Sequence, residues 1–407
     1  MDYRGNSRIT FSLTSHFHNN VTLLVYMFGY IFILFCLLQT TSSYSPPTPT
    51  SIFKAGEDDH AAYRIPGIVV ASNQTSTLLA FAEGRKYGCG DFDGQHNIVS
   101  KRSTDSGQTW SNLMLIADPT TLFGCKSNGT SPKGLCQFWD PTPVTDETTG
   151  AVHLLAAYTS CNDTSTRKKG LNDIFQWTTY DNGMSWTSAR NITHFFPSSG
   201  YRLTPSNGHG IQLRQYNNAT SVSYRGRLLI PAYGANGSGV IYSDDHGITW
   251  NVTDSQFPTS CEGDVAELNN GSIIYALRMN HASPISECYP YSHCRGQAIS
   301  NDGGMTFTNF SYLAALPDPA CKGGLASSTG SSNKDAMLVF ANDADEKNRN
   351  HVTLRRSRDG GNSWNKKDSQ LLYKGTAGYV DVVANDKNAF VIYEENTCSI
   401  IISIVAL

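Results

Sequence analysis

Six short segments carry side chains that lie outside any repeat and whose types suit reaction chemistry. Tyr63-Arg64-Ile65-Pro66 is the first. LLAFAEGRKYGCGDFDGQHNIVSKRS at 78–103 holds Arg85 and Asp91, and CEGDVAELNNGSIIYALR at 261–278 sets Glu262 ahead of Arg278. ANDADEKNRNHVTLRRS at 341–357 holds Arg349, GTAGYVDVV at 375–383 holds Tyr379, and VIYEEN at 391–396 holds Glu394. Arginine stays charged and grips a carboxylate through forked hydrogen bonds. Carboxyl groups can move protons. A phenol with a reference pKa of about 10 needs a partner base before it can attack. The eleven histidines show no metal-ligand cluster and no cysteine pair has C-x-x-C spacing. Neither a metal nor another cofactor is therefore expected.

Residues so far apart need a scaffold that gathers them, and a repeated turn supplies its signature. STDSGQTW at 103–110, TYDNGMSW at 179–186, SDDHGITW at 243–250, SNDGGMTF at 300–307 and SRDGGNSW at 357–364 share one pattern. Each follows an alternating apolar run such as NIVSKRS, so each should join two antiparallel strands. The aspartate side chain can accept N–H groups of its own loop, the glycine permits φ > 0, and the aromatic folds back over the hairpin. Repetition at this interval means stacked units of four strands, roughly 40–60 residues each. The expectation is an all-β, six-bladed β-propeller of four-stranded antiparallel sheets over 51–407. Five blades carry the turn. The sixth is shared by the chain ends, with SIIISIVAL as the closing strand. The repeated aspartates, Asp105, Asp181, Asp245, Asp302 and Asp359, belong to the rim and are not counted as catalysts.

The 407 residues carry a formal charge of −3 and 16% charged side chains, which excludes a nucleic-acid partner on electrostatic grounds. Val21–Leu38 contains no charged residue and follows a polar leader. Over residues 1–39 this reads as a signal peptide or a signal anchor. The small residues Thr41-Ser42-Ser43 favour cleavage, whereas the length allows membrane attachment. Residues 40–50 read as a Pro/Ser/Thr-rich linker. Sequons at Asn73, Asn128, Asn162, Asn191, Asn218, Asn236, Asn251, Asn270 and Asn309 agree with the secretory pathway. So do nine cysteines beyond Cys36, for which Cys125/Cys136 and Cys288/Cys294 are the expected local staples and at least one thiol stays free or pairs with another chain.

The Arg-Ile-Pro triplet, the repeated turns, FAEGRK with an aspartate following, HGIQL at 209–213 and GRLLIPAYG at 226–234 together resemble the exo-α-sialidases, most of all the animal lysosomal-type branch. The resemblance covers essentially all of 51–407. It implies that Arg64, Arg278 and Arg349 bind the carboxylate of sialic acid and that Glu394 orients Arg64. It implies Tyr379 as nucleophile, since a neutral phenol avoids the repulsion between two carboxylates at the anomeric carbon and sialidases stand outside the two-carboxylate scheme. Glu262 is then its base and Asp91 the general acid. Arg85 touches a sugar hydroxyl or forms a salt bridge with Glu83 or Asp91. Sialylated glycoconjugates are the implied partners, with a protective protein partner if the chain is lysosomal. Extracellular or membrane-attached locations stay open.

Each assignment has a rival. Asp93 competes with Asp91, and one of them should be a turn residue. Glu267 competes with Glu262 but should face the other side of a strand. Arg355, Arg356 and Arg358 compete with Arg349, and Tyr379 is one of twenty tyrosines. Val380 stands where the family often has serine. Two other functions use the same scaffold: a transferase that passes sialic acid to a sugar, and a non-catalytic propeller that binds a glycan or a receptor.

Overall fold

The computed structural model describes residues 47–71, 76–124, 136–159, 172–197, 202–214, 223–280, 283–328 and 337–407. They belong to one compact unit, Pro46–Leu407. The N-terminal apolar segment, Cys125 with its expected pairing to Cys136, and the sequons at Asn73, Asn128, Asn162 and Asn218 lie outside the described residues. Among the described residues no helix is long and apolar enough to cross a membrane. The five described sequon asparagines, Asn191, Asn236, Asn251, Asn270 and Asn309, are all exposed.

Among the described residues the fold is all-β, with one short α-helix at Pro119–Phe123 and three single-turn 3-10 helices. Strands pair antiparallel except at the His96–Gln137 and Val144–Gly210 bridges. They form hydrogen-bonded sheets of eight, five, four and seven strands, so the expected four-stranded sheets are partly merged. In the first sheet the set running from Ala62–Val70 to Met114–Ala117 meets the set running from Gln137–Asp146 to Arg190–Asn191 through one residue pair. In the last, the long strand Ser369–Ala384 pairs with Asn350–Ser357 through its first half and with Asn388–Glu395 through its second. The first described strand, Thr50–Phe53, adds to the C-terminal strand Ile400–Ala406. The apolar end of the chain is thus a strand that joins the two ends.

The five turns repeat one hydrogen-bond set. In the first, Asp105 accepts the Ser103 hydroxyl at 2.8 Å, the Thr109 N–H at 2.9 Å and the Thr109 hydroxyl at 2.6 Å. Asp181, Asp245, Asp302 and Asp359 do the same in theirs. These bonds favour the charged form, and with little burial they hold the Asp105 and Asp181 carboxyls down at about 2. The turn aromatics Trp110, Trp186, Trp250, Phe307 and Trp364 each enter a different apolar cluster. A sixth cluster, around Val380, Val391 and Val405, contains none of them. The turn glycines also interlock neighbouring units. Gly183 lies on Leu79 and Gly304 on Leu229, so closely that a Cβ would collide, while Gly107 lies on Ile404 and ties the first turn to the last strand.

Inside this scaffold the innermost strands break register at comparable places. Shifts occur at Arg64/Gly67, Trp139/Thr142, Ser260/Gly263 and Gly378/Asp381. Ile65, Asp140 and Tyr379 take positive φ of 57°, 54° and 48° at three of them. A bulge bends the strand and re-aims a side chain that regular alternation would send elsewhere. Behind these bulges lies a buried cluster of His209, Asp264, Lys322 and Asp381. Lys322 Nζ donates to Asp264 Oδ2 and Asp381 Oδ1, both at 3.1 Å. His209 Nδ1 lies 2.9 Å from Asp381 Oδ1. His209, Asp264 and Asp381 are spaced closely enough to ligate a cation, but the Lys322 ammonium already bridges the two carboxylates.

Candidate active site

Arg64 leaves the first bulge with 14% of its side chain exposed. Its Nε donates to Glu394 Oε2 at 3.1 Å and its Nη1 to Asp91 Oδ1 at 2.9 Å. The guanidinium also lies 5.1 Å from the centre of the Tyr379 ring. Burial alone would lower its pKa, but Glu394, Tyr379 and Asp91 hold it above the ordinary arginine value.

Asp91 sits on the loop between strands Leu78–Arg85 and His96–Ser103, with 48% of its side chain exposed. Its carboxylate meets both Arg64 and Arg85. Asp93 points the other way and caps its own loop, accepting the Gly90 N–H at 2.7 Å. Arg85 is fully buried, and its donors are used within the protein. Nε and Nη2 go to Glu83 Oε2 at 3.1 and 2.7 Å, and Nη1 goes to the Cys89 carbonyl at 2.6 Å and to Asp91 at 3.0 Å. Both salt bridges that the sequence offered for Arg85 are therefore formed.

Glu262 stands at the Ser260–Gly263 shift and pairs with Arg278 across neighbouring strands. Glu267, near the other end of that strand, instead accepts the Arg214 backbone N–H at 2.8 Å. Arg349 precedes strand Asn350–Ser357 and places its guanidinium 5.5 Å from the Tyr379 ring centre. The one described hydrogen bond of that guanidinium is a long one, 3.5 Å from Nη2 to the Ala320 carbonyl. Arg355 and Arg356 are occupied elsewhere, by Asn342 and by Gln370 and the Ala406 carbonyl.

Tyr379 thus lies against Arg64 and Arg349. Burial first, then the charges of Glu262 and Cys321, push its phenol well above the ordinary value, with Arg278 opposing. Its backbone N–H donates to Cys321 Sγ at 3.2 Å. All eight residues singled out from the sequence are therefore linked by contact or by charge in one place.

Two further acids stand beside these residues: Glu83, which the sequence offered only as a partner for Arg85, and Asp140, which it did not single out. Glu83 is fully buried between Arg85 and His96 and accepts the Asp140 N–H at 3.0 Å. Burial opposes ionisation, but Arg85 and His96 pull its carboxyl down to about 2. Asp140 takes the Tyr233 hydroxyl at 2.9 Å and the Asn207 amide at 3.3 Å. Burial, then the charges of Glu83 and Glu262, push it up to about 8. A signal for Asp140 existed in Trp139-Asp140-Pro141. A proline inside an apolar strand marks a bulge, as Arg64-Ile65-Pro66 does in the strand before.

The arrangement combines arginines suited to an anion, a partly buried phenol beside a carboxylate, and a more exposed carboxylate on a loop. Residues 76–392 match the family described as a BNR repeat-like domain. A "Sialidase" of Micromonospora viridifaciens is 27% identical over 360 residues, covering 84% of this chain and 51% of that protein. "Sialidase-3" of Homo sapiens is 28% identical over 338 residues, covering 74% of this chain and 71% of its own length. Among solved structures, "Hadza microbial sialidase Hz136" superposes with a TM-score of 0.74 at 23% identity, covering 88% of this chain and 68% of that one. The chain spans about half the length of the Micromonospora relative and 61% of a second bacterial one, from Bacteroides fragilis.

Proposed function

Because the chain belongs to the exo-α-sialidase family and carries its BNR repeat-like domain, we propose that it hydrolyses terminal sialic acid from glycoconjugates with retention of configuration. The observation that carries this reading is Tyr379 lying against Arg64 and Arg349, with the Glu262–Arg278 pair acting on its phenol. On this reading Arg64, Arg278 and Arg349 hold the substrate carboxylate. Arg349 contributes most readily, its guanidinium having only a long hydrogen bond to the Ala320 carbonyl to give up. Arg85 acts through Asp91.

Tyr379 Oη attacks the anomeric carbon while its proton passes to Glu262. The glycosidic C–O bond breaks, and its electron pair leaves with the sugar oxygen, which takes the proton of Asp91. Water then attacks the same carbon, giving its proton to the Asp91 carboxylate. The bond to Tyr379 breaks, and the phenolate recovers its proton from Glu262. Two inversions give net retention. The raised phenol of Tyr379 supports a nucleophile that approaches uncharged.

The same reading extends to the scaffold. The strand sets, the five turn aromatics in five apolar clusters and the joined chain ends support a six-bladed ring over 51–407, with the chain-end strands in the sixth blade. The exposed sequons and the two disulfides, Cys89–Cys398 and the expected Cys288–Cys294, support a secretory-pathway location. The test is hydrolysis of a fluorogenic aryl sialoside, with the first-formed anomer followed by NMR. Release of the α-anomer by the wild type and an activity loss of about 1,000-fold or more in Tyr379→Phe are expected. First release of the β-anomer, or full activity of the variant, would sink the assignment.

A further inference from the structure

Asp91 is carried by an exposed loop with little apolar burial, and such segments open locally at low cost. A general acid must nevertheless be held to a fraction of an ångström of its productive position. Part of its restraint is ionic, through Arg64 and Arg85. The Arg64 contact is the weaker guarantee, because a bound carboxylate would claim the same guanidinium. Gln137 Nε2 also donates to the Asp91 carbonyl at 3.0 Å, and a further restraint is covalent. Cys89, two residues before Asp91, is disulfide-bonded to Cys398 across a sequence separation of 309 residues.

Both ends of this link are tied to the site. The Cys89 carbonyl accepts Arg85 Nη1 at 2.6 Å, so the same residue restrains the guanidinium that holds Asp91. The Cys398 carbonyl accepts the Tyr63 N–H at 2.8 Å, next to Arg64. Cys398 also closes the tight turn that follows Glu394, through its own N–H to the Glu395 carbonyl at 2.9 Å. Glu394 in turn holds the Arg64 side chain and the Ile65 N–H.

We propose that the Cys89–Cys398 disulfide is a positioning device for the Asp91 carboxyl, fastening its loop to the hairpin and strand that hold Glu394 and Arg64. The inference rests on the sialidase reading, in which Asp91 protonates the leaving group. Two substrates isolate that step. Sialyllactose leaves as an alkoxide-like sugar oxygen and depends on protonation. An aryl sialoside leaves as a stabilised phenolate and depends on it little.

The full-length Cys89→Ser/Cys398→Ser double variant should lose kcat/KM, which reports only the steps through departure of the leaving group, on sialyllactose by about 10- to 100-fold, within the range of a misplaced general acid. It should stay within about threefold of wild type on the aryl sialoside, and Asp91→Asn should show the same split more strongly. Should the double variant fold poorly, the comparison moves to the Cys288→Ser/Cys294→Ser protein. That variant is folded oxidised and then reduced mildly, with both activities followed against the loss of the Cys89–Cys398 link by mass spectrometry. Equal losses on the two substrates, or no loss on either, would overturn the proposal. A wild type inactive on both would instead sink the sialidase reading, and this inference with it.

Discussion

Glu394 holds Arg64 from two sides: its Oε2 accepts the Arg64 Nε–H at 3.1 Å, while its Oε1 accepts the neighbouring Ile65 N–H at 2.7 Å. One carboxylate thereby fixes both a guanidinium and the bulged backbone that presents it, from a strand at the far end of the sequence. Glu394→Ala should leave a mostly buried cation without its main partner. A stability loss of about 3–5 kcal/mol by urea denaturation is expected. Glu394→Gln should keep the backbone bond, and its loss should be visibly smaller.

Arg349 makes the opposite case, since the protein itself uses its donors so little. Arg349→Lys should leave the urea midpoint close to wild type. It should lower kcat/KM on an aryl sialoside by about 10- to 100-fold, because an ammonium cannot form the forked pair with a carboxylate. A midpoint shift as large as that of Glu394→Ala would contradict this division.

The buried acids set a pH profile for stability. Asp140 is raised to about 8, so the folded state keeps a proton that the unfolded chain releases near 4; its contribution is greatest at low pH and is lost as pH rises from about 4 to 8. Glu83 is lowered to about 2, so its contribution is present above about 4.5 and is lost as pH falls toward 2. The Tm should therefore peak in mildly acidic solution. Asp140→Asn should flatten the limb above pH 5, and Glu83→Gln should flatten the limb below pH 4. A Tm that rises steadily from pH 5 to 8 would contradict the first assignment.

Lys322 neutralises Asp264 and Asp381 where no water reaches. Lys322→Met should cost about 3–5 kcal/mol, because it leaves two buried carboxylates with only His209 between them. Adding Asp264→Asn to that variant should recover part of the loss, measured as the urea midpoint of both proteins.

The turn aspartates should separate fold from chemistry. Asp245→Ala removes the acceptor for the Ser243 hydroxyl and for the Thr249 N–H and hydroxyl, at the rim. The Tm should fall by a few degrees, about the scale of one lost cap. The kcat on an aryl sialoside should stay within about twofold of wild type. A tenfold fall in kcat would place this turn in the active site.

The sequence by itself determined the repeating unit. A hydroxyl, an aspartate, a glycine and an aromatic at fixed offsets make a local turn whose hydrogen bonds close within eight residues, so no distant partner is needed to read them. It also marked Arg64, Asp91, Glu262, Arg278, Arg349, Tyr379 and Glu394, because their segments stand apart from the repeats. Only the tertiary structure decided what depends on joining the chain ends. No local pattern could reveal that Cys89 meets Cys398, 309 residues apart; the resemblance already implied that Glu394 orients Arg64, and the structure adds the hydrogen bonds by which it does so. The sequence already favoured Asp91 over Asp93, and the structure adds the physical difference between them. The two differ in which one faces Arg64 and Arg85, and those guanidiniums arrive from a neighbouring strand and from the start of the loop itself. Asp140 stayed hidden for a related reason: its chemistry comes from Glu83, Tyr233 and Glu262, and burial beside them is a property of the assembled sheets.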